Sequence, residues 1–134
     1  MIVGIGSDIT DISRIGDSMQ RFGQRFLDRC FLPSEQSHCR DSAESVQKFA
    51  RRWAGKEATA KALGTGIGEH AYFHDIEIVS GPLGRPELHL SGSALKTLMQ
   101  RIPAGYRPAC HITMTDEGKY AQAFVVLEAV PDHM

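Results

Sequence analysis

A chain of 134 residues, 42% hydrophobic and 23% charged, has the length and balance of one globular domain over residues 1–134, with room for a single core. A formal net charge of −1 excludes a global electrostatic pull toward nucleic acid or a membrane surface, so any charge preference has to be local. Cys30, Cys39 and Cys110 fit no zinc or redox spacing and read as reduced thiols of a cytoplasmic protein; "MIVGIGSDI" is too short and lacks the basic leader of a signal peptide, and no run approaches the ~20 apolar residues of a membrane span.

Residues 2–6, "IVGIG", predict a short buried strand. "SDITD" then supplies helix-start chemistry, with Thr10 or Asp11 as N-cap of a helix from about Ile12 to Cys30. Ile12, Ile15, Met19, Phe22, Phe26 and Cys30 share one face of it, and Gly16 and Gly23 are places for a kink or break. The polar stretch 32–45 predicts a short helix begun by Ser34, then a loop. A second long helix runs from about Glu44 to Leu63 and stops at Gly64, a residue suited to the left-handed position after a helix. "FHDIEIVSGPLGRPELHLSG" alternates around a Gly/Pro turn, as a β-hairpin does. Residues 93–102 predict an amphipathic helix with a Ser cap, "ACHITMTDEGKYAQAFVVLEAV" two strands joined at "DEGK", and "PDHM" a fraying tail. The order is that of an α+β fold with a mainly antiparallel sheet packed against a long helix.

One position breaks the pattern. On a wheel measured from Val46, Phe49, Ala50, Trp53, Ala60 and Gly64 fall within roughly 60° of one direction. Glu57 lies near the middle of that stripe and Lys61 on its border, while Lys48, Arg51, Arg52, Gly55 and Thr59 take the far side. Two explanations stand side by side. Glu57 and Lys61 have the favourable i, i+4 orientation of a surface ion pair. Alternatively, the carboxylate faces inward to hold a hard divalent cation, and Asp8, just after the first strand, is the second ligand unless it serves a turn or cap. Mg²⁺ commonly completes its shell with water and substrate phosphates, which Lys61 is placed to neutralise. The "GTGIG" loop at 64–68 reads either as a plain helix C-cap or as small residues that let backbone amides approach an anion. Lys56, at the margin of the stripe, suits packing or a phosphate contact equally.

Two segments together are more specific. Gly4-Ile5-Gly6-Ser7-Asp8 and Trp53-Ala54-Gly55-Lys56-Glu57-Ala58-Thr59-Ala60-Lys61 match the G-[IV]-x-D and W/F-x-x-K-E-A-x-x-x-K segments of the 4′-phosphopantetheinyl transferase superfamily, which the chain resembles over almost its whole length. The resemblance extends to Arg14-Ile15, the GTGIG loop, "FHDIEI", "GRPELHLSG" and "HITMTDEGKYAQAFVVLE". It implies transfer of the phosphopantetheine arm of coenzyme A to a serine of apo acyl carrier protein, with release of 3′,5′-ADP, in support of fatty-acid biosynthesis. It also implies Mg²⁺ or Mn²⁺, and a homotrimer with active sites between neighbouring subunits. Carried over by residue, Asp8 and Glu57 bind the metal and Lys61 contacts the coenzyme A phosphates. Thr65, Gly66, Pro86 and His111 lie along the cofactor, with Thr113 and Thr115 on the same strand face as His111. Arg52, on the far side of the wheel, can serve only a neighbouring subunit's cofactor. Asp116 occupies a position that varies between His and Asp, and Thr113 stands where Ser is usual.

A base must take the serine proton; Glu57 is the first choice and Asp116 the second. Arg14, Arg21, Arg25 and Arg29 cluster within roughly 80° around the first helix. Such a strip reads as a solvated face, or, with the resemblance, as docking for an acidic carrier protein, with Met19 and Phe26 beside it. His38, His70, His74 and His89 have no ligand spacing. A coenzyme A-binding module without turnover and a metal-dependent phosphohydrolase are the rival readings.

Overall fold

The structure, a computed structural model, describes residues 1–40 and 42–133. The part of the 32–45 reading that falls on Asp41, and the tail reading at Met134, lie outside the described residues. In chain order the elements are β1 (Ile2–Asp11), α1 (Ile12–Phe22), α2 (Gln24–Cys30), α3 (Pro33–Arg40), α4 (Ser45–Leu63), β2 (Ile76–Ser80), β3 (Pro86–Leu90), α5 (Gly92–Met99), β4 (Tyr106–Glu117) and β5 (Tyr120–Pro131). β1, β5 and β4 form a three-stranded antiparallel sheet in that order, and β2 and β3 form a separate antiparallel hairpin. The α+β expectation therefore holds.

β1 is longer than its apolar start and is not a buried strand. It runs to Asp11, and Ile2, Ile5 and Ile9 are exposed. Its glycines face the core instead. A Cβ on Gly4 would lie 2.1 Å from the Ala62 carbonyl oxygen, and one on Gly6 would lie 2.0 Å from that of Ala58. Glycine here lets strand backbone rest on helix backbone, which no side chain permits. The cap residue is Asp11, whose Oδ1 accepts from the Ser13 amide at 2.9 Å; Thr10 is buried in the strand.

The expected 12–30 helix is broken at Gly23 (φ 57°, ψ −134°), which separates α1 from α2. Gly16 leaves α1 intact. Phe22, expected on the core face, ends up exposed because α1 stops there. α3 and α4 lie where the sequence places them, and Gly64 takes the left-handed position (φ 80°). α5 begins one residue early, and Ser91 at its N-cap makes no side-chain bond; the Asp75 carboxylate reaches across to accept from the Ala94 amide at 3.2 Å.

The core lies between α4 and the inner sheet face. Ala54, Ala58, Leu63, Ala123, Val125 and Leu127 are buried there, with Ile76, Ile78 and Leu98 from the hairpin and α5. A second cluster joins Ile15, Leu27, Cys30, Phe31, Phe49 and Ala50 beneath α1–α3. α4 is thus enclosed on almost every side. The wheel's far side is corrected accordingly: Arg52, Gly55 and Thr59 are buried. A Cβ on Gly55 would lie 2.5 Å from Ile78 Cδ1, so the hairpin closes directly on that side. What stays partly open is the ridge Trp53–Glu57–Lys61. The outer sheet face is uncovered. Ile5, Ile9 and Phe124 are exposed there at 59%, 64% and 44%, beside His111, Thr113 and Thr115.

Candidate functional site

β1 and α4 bring Asp8, Glu57 and Lys61 together. Asp8 sits on the inward row of β1, yet at the sheet edge, so its side chain meets the α4 ridge rather than the core. Its Oδ2 accepts from the Thr10 hydroxyl at 2.6 Å and its Oδ1 from Lys61 Nζ at 3.1 Å; the same ammonium reaches the Ser7 carbonyl at 3.1 Å. Lys61 therefore pairs with Asp8, across 53 residues of chain, and not with Glu57 one turn away.

Glu57 is half-buried and close to the same charges. Burial, and then the Asp8 charge, hold its carboxyl above the usual carboxylate value of 4.5, against the pull of Lys61 and Arg14. Two oxygen-donor carboxylates that repel one another suit a hard cation, which would remove the repulsion and leave open positions for water and phosphate. Among the described residues, no group of three His, Cys, Asp or Glu side chains comes together as a closed cage. The donor set therefore fits Mg²⁺ or Mn²⁺ rather than a structural zinc.

The loop after α4 is a C-cap. The amides of Thr65 and Gly66 both donate to Ala60 O at 3.2 Å, and that of Gly64 to Lys61 O at 2.9 Å. These donors are engaged, so of the two readings of this loop the C-cap holds. The Thr65 hydroxyl remains at the surface, bonded to Gly66 O at 2.9 Å.

Pro86 and His111 meet in a cleft of about 790 Å³ between the hairpin and β4, lined also by Leu83, Arg85, His89 and Cys110. His111 Nε2 lies 2.9 Å from Glu128 Oε1. Asp8 is on β1 and His111 on β4, at opposite edges of the sheet. Register pairs Asp8 with Ala123 and Ala123 with Met114, three residues from His111, so ideal spacings put the two roughly 14 Å apart.

Arg52 is not on an open face. It is buried, with Nε donating to Ile78 O at 3.2 Å and Nη2 to Ser80 Oγ at 3.4 Å. Asp116 is paired with Arg51. Lys56 is fully buried, so of its two readings packing holds. Arg14, Arg21, Arg25 and Arg29 are all exposed, and Arg25 and Arg29 border a groove of about 240 Å³ with Ser18, Phe22 and Phe26. Thr10, expected only as a candidate cap, instead belongs to the site through its bond to Asp8. Its i+2 spacing from Asp8 on one strand face was the available signal.

The chain belongs to the 4′-phosphopantetheinyl transferase superfamily, whose family model matches residues 4–125. A curated relative named holo-[acyl-carrier-protein] synthase, from Methylorubrum extorquens (strain PA1), is 48% identical over 131 residues, 98% of this chain and 96% of the relative. The crystal structure of the holo-[acyl-carrier-protein] synthase from Neisseria meningitidis superposes with a TM-score of 0.83 at 38% identity, covering 96% of this chain and 99% of that one. That of the Helicobacter pylori enzyme in complex with coenzyme A gives 0.78 at 33% identity, covering 92% and 99%.

Proposed function

We propose that this chain, as one transferase domain over residues 1–134, moves the 4′-phosphopantetheine arm of coenzyme A to a serine of apo acyl carrier protein and releases 3′,5′-ADP. The observation that carries the reading is the convergence of Asp8, Glu57 and Lys61 from β1 and α4. The family, the relatives' names and the coenzyme A in a related structure point the same way. Fatty-acid synthesis in the cytoplasm is the setting; among the described residues no helix is long and apolar enough to cross a membrane.

Asp8 and Glu57 would hold the divalent cation, which supplies positive charge for the pyrophosphate of coenzyme A. Lys61 adds a second positive charge at the same edge. The serine Oγ–P bond forms as the bond from phosphorus to the 3′,5′-ADP oxygen breaks, and the serine proton passes to Glu57. Half-buried beside Asp8 and Lys61, Glu57 is the carboxylate placed to take it. Asp116 is less suited, since Arg51 already engages it. Thr65 and Gly66 border the cofactor beyond Lys61, and Pro86 and His111 receive its far end. Because Asp8 and His111 sit on opposite edges of one sheet, a neighbouring subunit supplies one of the two sets, and the uncovered outer face is where a homotrimer would close. Arg14, Arg21 and Arg25 dock the acidic carrier, with Arg14 near enough to Glu57 to affect its charge. Arg52 braces the hairpin that carries the Pro86 side of the cleft.

The test is to incubate the protein with coenzyme A, Mg²⁺ and an apo carrier, then weigh the carrier by mass spectrometry. Gain of the phosphopantetheine arm supports transfer. Coenzyme A cleaved without carrier modification indicates a phosphohydrolase, and coenzyme A bound but intact indicates a binding module.

A further inference from the structure

The most deeply buried charges in the molecule lie outside the site. Lys56 Nζ and Glu35 Oε1 are 2.7 Å apart, and both side chains are fully enclosed. Glu35 Oε1 also accepts from the Leu32 amide at 2.8 Å, and Oε2 from the Ile78 amide at 3.0 Å. The ammonium donates to Phe73 O at 2.9 Å and lies 5.5 Å from the centre of the Phe31 ring. One carboxylate thus joins the exit of α2, helix α4 and strand β2. The next residue, Gln36, grips α2 itself: its amide donates to Phe31 O at 3.0 Å and to Leu27 O at 3.3 Å.

α2 needs such a grip. It has seven residues, too few to hold itself, and the helical run of α1 ends at Gly23 before it begins. Yet α2 carries Arg25, Phe26 and Arg29, which border the groove described above. Phe26 in turn stacks on Trp53 (5.9 Å, 29°), one helical turn from Glu57, and Trp53 packs on Phe73 (5.0 Å, 33°). A buried ion pair seldom stabilises a fold more than apolar residues of the same size would. Its distinctive contribution is direction, since each oxygen and each N–H fixes one partner.

We propose that Glu35 and Lys56 are positioning residues that set the placement of α2, and with it the surface on which the carrier docks. The carrier part rests on the function proposed above. Glu35→Gln alone would strand a buried ammonium and risks unfolding. The test therefore uses Glu35→Leu combined with Lys56→Met, which removes both charges at similar volume. The expected result is a folded protein whose KM for apo carrier rises about tenfold, with kcat and KM for coenzyme A within about twofold of the parent. Trp53, the single tryptophan, reports α2 without any turnover, and its emission should shift to the red. A folded double variant with parental emission and parental carrier KM overturns the proposal, as does a fall in kcat with carrier KM unchanged. If the parent itself transfers nothing, the function reading fails; the emission spectrum still decides the placement, a red shift supporting it and an unchanged spectrum overturning it.

Discussion

Glu57 was legible as an anomaly because a carboxylate interrupted an apolar stripe, and Asp8 because it came just beyond the apolar start of β1 without a clear local task. Their partner contacts were not legible: Lys61 crosses 53 residues to Asp8, and no local pattern encodes that reach. The environment of Glu57 makes two measurable demands. A carboxyl whose folded pKa lies above its unfolded value contributes stability below the unfolded pKa, and that contribution is lost as pH rises through the folded one. Ionised Glu57 therefore weakens the fold at neutral pH. In buffer free of divalent cations Glu57→Gln should raise Tm at pH 7, with the gain vanishing below the ordinary value of 4.5, while Mg²⁺-supported transfer falls by at least about 10²-fold. Calorimetry across pH and carrier mass spectrometry check both. If Glu57 holds the cation, the acid limb of the parent's pH–rate profile should move to lower pH as Mg²⁺ is raised, since proton and cation compete for one carboxylate.

The order and type of elements followed from periodicity and turn residues, and α4 ended at Gly64 as expected. The environment of α4 did not follow, because small residues on several flanks let neighbours close from all sides. Arg52, Lys56 and Thr59 are buried only because Ile78 O, Glu35 and Gly55 O meet them, and hydropathy cannot foresee such partners. β1 misled for a related reason: its isoleucines face outward and its glycines inward. Two glycine substitutions separate these roles. Gly6→Ala forces a methyl to 2.0 Å from a helix carbonyl and should destabilise by about 3 kcal/mol or more. Gly16→Ala, inside α1 with its nearest neighbour Val46 Cγ1 at 3.4 Å, should stabilise by about 0.5–1 kcal/mol. Urea unfolding with unchanged m-values is the measurement for each.

At the scale of the molecule, one sheet face is packed and the other bare. Ile5, Ile9 and Phe124 on the bare side suit burial against copies of the same chain. Phe124→Lys should shift the protein toward single chains in analytical ultracentrifugation and abolish transfer, with far-UV circular dichroism unchanged. The opposite-edge placement of Asp8 and His111 carries a further consequence for genetics. Lys61→Ala damages one edge and His111→Ala the other, so if the proposed homotrimer shares each site between neighbours, neither crippled allele spoils the half that the other lends. Co-expressed in equal amounts, two separately dead alleles should complement: random mixing in a ring leaves about one junction in four with both halves intact, and cells carrying the pair regain roughly that share of the parental rate.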